Sequence, residues 1–314
     1  MAEVRPRTFQ HVVIVGPGAV GLCVAVHLAG TDGGPRVTLV DHDAGRAARL
    51  SARPLRLRTE GGILEARVPV RLAPDEPPDL VILATKAHQA GRAVAAAAAW
   101  IGRAPLVTLQ NGLGVTEEVA AALPRTGVIT GVTYQAANVV AEGEVHHAAN
   151  VLTHLGYLAG PADAVAEAVA DLFARAGLPA RVEADMTPVV WWKLLINAAI
   201  NPVAALAGVR NGEVAHRPTL AALVSALADE GQAVARAEGV RLPGEDAAAA
   251  ALQTARATAA NRCSMLQDLD AGRPTEVEYL NGAIVRLAAA RGVSVPTHRA
   301  AAALVRQVSS ASAA

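Results

Sequence analysis

Cysteine and aromatic residues are scarce in this chain of 314 residues, and charge of neither sign is in excess. The two cysteines, Cys23 and Cys263, lie far apart without CxxC spacing, which argues against a disulfide framework and a structural metal. Both are expected to act as small buried hydrophobes. Aromatics make up 3% of the residues, too few to build stacking platforms for single-stranded nucleic acid. The 28 basic residues balance 28 acidic ones, so no net field favours nucleic acid or an anionic membrane. Uninterrupted apolar runs of about 18 residues are missing, and the Ala93–Ala99 run ends at Trp100 and Ile101. Met1 to Gln10 holds three charged residues and no apolar core of signal-peptide length. A soluble, cytoplasmic protein acting on a small molecule is expected. His11, His27, His42, His88, His154, His216 and His298 show neither HxxxH nor HxH spacing, and His146-His147 would point two rings to opposite faces of a strand. No metal site is expected.

Apolar residues are plentiful, at 52%, and the length suits two domains with separate cores. His11–Val15 reads as a buried strand, Ala19–Ala29 as a helix ending at Gly30, and Val37–Val40 as a second strand, which makes a βαβ unit. Leu55–Thr59 and Ile63–Val70 alternate around Gly61-Gly62 as a hairpin. Leu80–Ala84 and Leu106–Leu109 are core strands separated by a helix around Val94–Trp100. Such alternation predicts a mostly parallel sheet. The region 127–158 is β-like again, and a helix near Ala164–Ala176 and a strand at Ala180–Glu183 close the α/β part. Beyond Asp185 the strand signal stops, and helical periods follow from Thr187-Pro188, then near Leu220–Glu238, Glu245–Ala260, Glu276–Ala290 and Arg299–Val308. The boundary is expected near 184, dividing the chain into 1–184 and 185–314, with a frayed tail over 309–314.

Gly16-Pro17-Gly18-Ala19-Val20-Gly21 matches G-x-G-x-x-G between a strand and a helix, where that pattern binds a dinucleotide. The expected fold is therefore α/β: an N-terminal Rossmann-type doubly wound sheet followed by an all-α C-terminal domain. Gly18 would let a pyrophosphate approach the helix N-terminus, and Gly21 would let helix and strand pack closely. Asp41, at the end of the second strand, is placed to accept hydrogen bonds from the adenosine ribose. A 2′-phosphate about 5 Å away would be repelled by roughly 3 kcal/mol at an effective dielectric near 20, so NAD is favoured over NADP, with Arg46 and His42 able to offset this. Lys86 and Asn111 each follow a core strand, at the sheet edge that faces a cofactor in such folds.

The segment Trp191-Trp192-Lys193-Leu194-Leu195-Ile196-Asn197-Ala198-Ala199-Ile200-Asn201-Pro202 sets Lys193, Asn197 and Asn201 at i, i+4 and i+8 of an apolar run. All three share one helix face. Burying an ammonium and two amides costs several kcal/mol unless each finds a partner, so something polar must meet that stripe.

Together GPGAVG, ATKA, QNGLG, WWKLLINAAINP and the Ser264-Met265-Leu266-Gln267-Asp268…Pro274-Thr275-Glu276-Val277-Glu278-Tyr279-Leu280-Asn281-Gly282 stretch resemble the ketopantoate reductase family over essentially the whole chain. The resemblance implies a Rossmann domain, a helical domain, and reduction of a 2-oxo acid, most directly 2-dehydropantoate, by NADPH or NADH. It implies that Lys193 protonates the carbonyl and that Glu276 grips a substrate hydroxyl. Asn111, Asn197, Asn201 and Ser264 become substrate or orienting ligands, with Lys86 beside the cofactor bound at Gly16, Gly18, Gly21 and Asp41. Asp41 departs from the basic or neutral residue common in NADPH-using relatives, and 136–147 departs from the usual glycine-rich turn. The partner expected is a small 2-oxo acid, without nucleic acid or membrane, and a homodimer is admitted. The alternatives are a relative reducing another oxo acid and a non-catalytic dinucleotide-sensing module, which would need the glycines but not Lys193 or Glu276.

Overall fold

The computed structural model describes residues 8–124 and 127–311, and these fall into two compact units. The first comprises the described residues up to 110 together with 115–186. The second comprises 111–114 and 187–311. Residues 1–7, within the Met1–Gln10 segment that lacks an apolar core of signal-peptide length, lie outside the described residues.

In the first unit, β1 (His11–Val15), α1 (Ala19–Ala29) and β2 (Arg36–Val40) form the expected βαβ turn. There follow α2 (Ala44–Ser51), β3 (Leu55–Thr59), β4 (Gly62–Ala66), β5 (Val70–Arg71), β6 (Leu80–Leu83), α3 (Ala87–Ile101), β7 (Leu106–Thr108) and α4 (Val115–Ala122). The unit closes with β8 (Val128–Thr133), β9 (Ala136–Ala141), β10 (Glu144–Ala149), β11 (Thr153–Gly156), α5 (Ala164–Arg175) and β12 (Ala180–Val182). The main sheet has eight strands in the order β12-β11-β8-β7-β6-β1-β2-β5, parallel throughout except between β8 and β11. Every residue of β1 and β6 is buried, as continuous apolar runs in a parallel sheet covered on both faces require. The order reverses at β1 and β6, so a crevice opens at their carboxyl ends.

The hairpin expected over 55–70 is only partly a hairpin. β3 and β4 pair antiparallel with Leu57 opposite Leu64, but pairing stops at Ala66. Pro69 has no amide to give a ladder, and beyond it Val70–Arg71 leaves to pair with β2 in the main sheet. β3 and β4 instead belong to a second sheet of order β4-β3-β10-β9. Helix α1 packs against strands of both sheets, which explains why most of its surface is apolar and buried rather than one stripe of it.

The second unit is helical: α6 (Thr187–Ala207), α7 (Asn211–His216), α8 (Pro218–Ala237), α9 (Ala247–Ala257), α10 (Ser264–Asp270), α11 (Asn281–Arg291) and α12 (Pro296–Ala311). α6 is the hub, touching α7, α8, α9, α10 and α12. Its 21 residues are long and apolar enough to cross a membrane, but 67% of its apolar window is buried in this unit. Close approach is possible because Ala198, Ala199, Ala204, Ala228, Ala235, Ala251 and Ala255 fill the helix contacts. Pro202 stands inside α6 and cannot donate to the Ala198 carbonyl four residues earlier. The Asn281 side-chain amide supplies that donor at 2.8 Å and also reaches Nδ1 of buried His298 at 3.0 Å. Glu230 in turn accepts from the amides of Thr297 and His298, capping α12.

Two expectations change here, and two short helices are added. The helix predicted from Glu276 starts at Asn281, because residues 276–280 form a turn in which the Tyr279 and Leu280 amides both donate to the Glu276 carbonyl. The short helices α7 and α10 were too brief to show a helical period. The tail expected to fray from 309 continues α12 through 311, with 312–314 outside the described residues.

Candidate active site

The first unit carries a glycine turn whose three glycines have different reasons to be there. A Cβ on Gly16 would lie 2.8 Å from the Thr85 amide nitrogen, and one on Gly21 2.0 Å from the Gly16 carbonyl oxygen. These two are demanded by the fold itself. A Cβ on Gly18 would meet nothing nearer than the Ala84 carbonyl at 4.0 Å, so the space beside Gly18 is open at the first turn of α1, as a pyrophosphate requires. Nearby, Thr85 Oγ1 and Gln110 Oε1 are buried without a hydrogen-bond partner, although the Gln110 amide nitrogen holds the Leu83 carbonyl at 2.9 Å and that of Thr85 at 3.2 Å. Orphaned polar atoms at the carboxyl end of β6, beside an open glycine cradle, fit a dinucleotide. Sequence reasoning passed over Thr85 and Gln110, though both lie inside stretches it singled out just beyond core strands. Lys86 is half-buried immediately before α3.

Asp41 directly follows β2, with its carboxylate fully enclosed. Burial works to raise its pKa. Hydrogen bonds from Arg46, including Nη2 to Oδ1 at 2.6 Å, the Asp43 amide at 3.2 Å and the nearby His42 outweigh this and hold it below the usual carboxylate range. Arg46 also donates through Nε to Oδ2, so the pair is bidentate. The acidic residue found by position therefore comes with its own cation.

The second unit gathers the other predicted residues. Lys193, Asn197 and Asn201 lie on α6, with Asn201 buried and the other two half-buried. Burial pulls the Lys193 ammonium down from its ordinary value of 10.5 to about 8, against the opposing charge of Glu276. Glu276 is itself buried in the turn before α11 and accepts from the Asn111 amide at 3.3 Å. Asn111 arrives there because Gly112 docks on that same turn. Gly112 has φ of +97°, its missing Cβ would lie 2.4 Å from the Tyr279 carbonyl oxygen, and the Leu113 amide donates to that oxygen at 2.9 Å. The loop thus sets an asparagine beside a glutamate beside a lysine.

Ser264 is the exposed first residue of α10. Cys263 before it donates from Sγ to the Asn201 carbonyl at 3.6 Å and accepts from the Leu266 amide at 3.4 Å, which fixes the start of α10 against α6 at the end of the polar stripe. The arrangement can hold a small polar molecule along α6, protonate it from Lys193, and present Glu276 to a donor.

Comparison with known proteins places two family models on the chain: "Ketopantoate reductase PanE/ApbA" over residues 12–160 and "Ketopantoate reductase PanE/ApbA C terminal" over 185–309. A 2-dehydropantoate 2-reductase of Archaeoglobus fulgidus is 37% identical over 304 residues, covering 96% of this chain and 98% of the relative. That of Halobacterium salinarum is 36% identical over 300 residues, covering 95% and 98%. The crystal structure of a PanE/ApbA family ketopantoate reductase from Ralstonia eutropha superposes with a TM-score of 0.87 at 30% identity, covering 96% of this chain and 99% of the other.

Proposed function

Because this chain belongs to the ketopantoate reductase family of oxidoreductases, we propose that it reduces 2-dehydropantoate to pantoate with NAD(P)H, in the cytoplasm. The observation that carries this reading is the Lys193, Glu276 and Asn111 cluster. A nicotinamide dinucleotide would be held at Gly16, Gly18 and Gly21, with Lys86 beside it, and would supply the hydride. As the carbonyl carbon receives it, the oxygen becomes an alkoxide and takes a proton from the Lys193 ammonium. A lysine at about 8 is well suited to this, being charged at neutral pH yet easily relieved of its proton. Asn111 donates to Glu276 through a neutral amide, and Glu276 would accept from the substrate's 4-hydroxyl. Asn197, Asn201 and Ser264 offer hydrogen bonds to the rest of the substrate without adding charge.

For the cofactor, the proposal is NADH over NADPH on the strength of Asp41, with the paired Arg46 narrowing the margin. NADH or NADPH oxidation against a panel of 2-oxo acids tests the function. A substrate bearing the hydroxyl should react about 10- to 100-fold better in kcat/KM than an analogue with methyl in its place, since losing a hydrogen bond to a carboxylate costs about 1–3 kcal/mol. Glu276→Gln should shrink that preference more than it slows the poorer substrate. Equal rates for the two substrates would remove Glu276 as hydroxyl ligand and 2-dehydropantoate as substrate, while leaving 2-oxo acid reduction standing.

A further inference from the structure

In the first unit, Cys23, His27 and His147 converge so that one ligand atom from each lies within 4.8 Å of the other two. Cys23 and His27 are four residues apart on α1 and share a face, and His147 reaches them from β10. Its neighbour His146 points outward, as strand alternation requires.

The hydrogen bonds around the two rings determine where their protons are. His27 Nδ1 lies 2.9 Å from the Ala176 carbonyl, which can only accept, so Nδ1 carries the proton and Nε2 a bare lone pair. His147 Nε2 lies 2.6 Å from Gln135 Oε1. The Gln135 amide cannot be turned round, because its nitrogen donates to the Val151 carbonyl at 2.5 Å and to Asn150 Oδ1 at 3.0 Å. His147 Nε2 therefore donates, while a hydrogen bond with the Ala149 backbone also favours the protonated ring. His27 Nε2 and His147 Nδ1 face each other at 3.4 Å with the rings nearly perpendicular, at 84°. With its proton on Nε2, the neutral His147 ring turns an Nδ1 lone pair toward His27. The separation matches the roughly 3.3 Å between two nitrogens bound to one tetrahedral zinc at bond lengths near 2.0 Å. Each ring also donates its other N–H to an acceptor, the outer arrangement that fixes the tautomer of metal-binding histidines.

We infer that Cys23 Sγ, His27 Nε2 and His147 Nδ1 form a binding site for a thiophilic first-row metal ion, with Zn²⁺ as the type ion and water in the fourth position. One sulfur and two imidazole nitrogens select zinc-like ions over magnesium or calcium. Binding replaces the Cys23 thiol proton with the metal, so one proton leaves per ion. The bound ion would pin α1 to the second sheet, a structural role separate from hydride transfer.

Co²⁺ added to the tag-free full-length protein, stripped by chelator and kept anaerobic, is the probe. One equivalent should produce a thiolate-to-cobalt charge-transfer band and visible d–d absorption. The chain has only one other cysteine, so the band should vanish in Cys23→Ser and persist in Cys263→Ser. His147→Gln should weaken Co²⁺ binding at least about tenfold. Zn²⁺ should raise the Tm of the unaltered protein and leave that of Cys23→Ser unmoved. Should Cys23→Ser not fold, His27→Gln replaces it, since His27 is only half-buried, and the same loss of affinity is expected. The absence of a thiolate band at stoichiometric Co²⁺, a band that survives Cys23→Ser, or an affinity untouched by both histidine variants would each overturn the assignment.

Discussion

The side-chain amide of Asn111 donates to Oε2 of Glu276 at 3.3 Å, joining residues 165 positions apart. A neutral donor thus holds one carboxylate oxygen, and the Glu276 charge partly offsets the effect of burial on Lys193. Three residues with no sequence proximity thus set one another's chemistry, and the variants below separate their contributions.

Lys193→Ala is expected to lower kcat by roughly 10²–10⁴-fold, the usual range for a lost general acid. Cofactor affinity should barely move. Steady-state rates combined with direct cofactor titration check both, and near-normal turnover would remove Lys193 from the mechanism.

Reduction uses the protonated lysine, whose pKa of about 8 lies below the ordinary 10.5. The log of kcat/KM for reduction should be flat below pH 8 and fall with unit slope above it. Because Glu276 raises the Lys193 value, Glu276→Gln should move the break to lower pH. A profile unchanged through pH 10 would show that another group supplies the proton.

Gly112→Ala places a Cβ 2.4 Å from the Tyr279 carbonyl oxygen at a φ of +97°, which alanine tolerates poorly. The cost is about 1–3 kcal/mol, and the displaced loop takes Asn111 away from Glu276. Urea unfolding should show the lost stability, and kcat/KM should drop at least about tenfold. Full activity in this variant would mean that Asn111 need not sit where Gly112 holds it.

Arg46→Ala should leave Asp41 as an uncompensated carboxylate and raise the kcat/KM ratio of NADH to NADPH, whereas Asp41→Asn should lower it. Measuring the ratio in both variants checks the assignment. A ratio that falls in both variants would make Arg46 only a support for the Asp41 side chain.

Asn281→Ala should cost about 1–3 kcal/mol by stripping the donor from the Ala198 carbonyl. With Pro202→Ala already in place, a backbone N–H is restored to that carbonyl, and the same Asn281 change should cost less. A double-mutant cycle by chemical denaturation reads the difference, and strict additivity would refute the link.

What was legible in the chain was what repeats locally. The glycine turn announced itself because its spacing lies within six residues between a strand and a helix, and the Lys193, Asn197 and Asn201 stripe because a helical period turns spacing into a shared face. The α/β-then-α order followed from the same periodicities. What was not legible depends on distant pairing. β10 lies parallel to β3, far from it in sequence, so nothing in the alternation of 55–66 told that this hairpin belongs to a second sheet. The i, i+4 spacing of Cys23 and His27 is visible in the sequence, but His147, which meets them, lies 120 residues beyond His27. Asn281 looked like part of a helix start, and only its position opposite Pro202 reveals why an amide stands there.

Four residues, 111–114, belong to the helical unit although the chain on both sides of them belongs to the other. The helical half is therefore not a module that recombination can move intact. A crossover between two diverged relatives at 186/187 would keep Lys193 with Glu276 but draw Asn111, Gly112 and Leu113 from the other parent. Mutations in the loop and in the turn at Tyr279 must consequently be inherited in matched sets, and chimaeras cut at that junction should recover function when the four-residue graft travels with the helices.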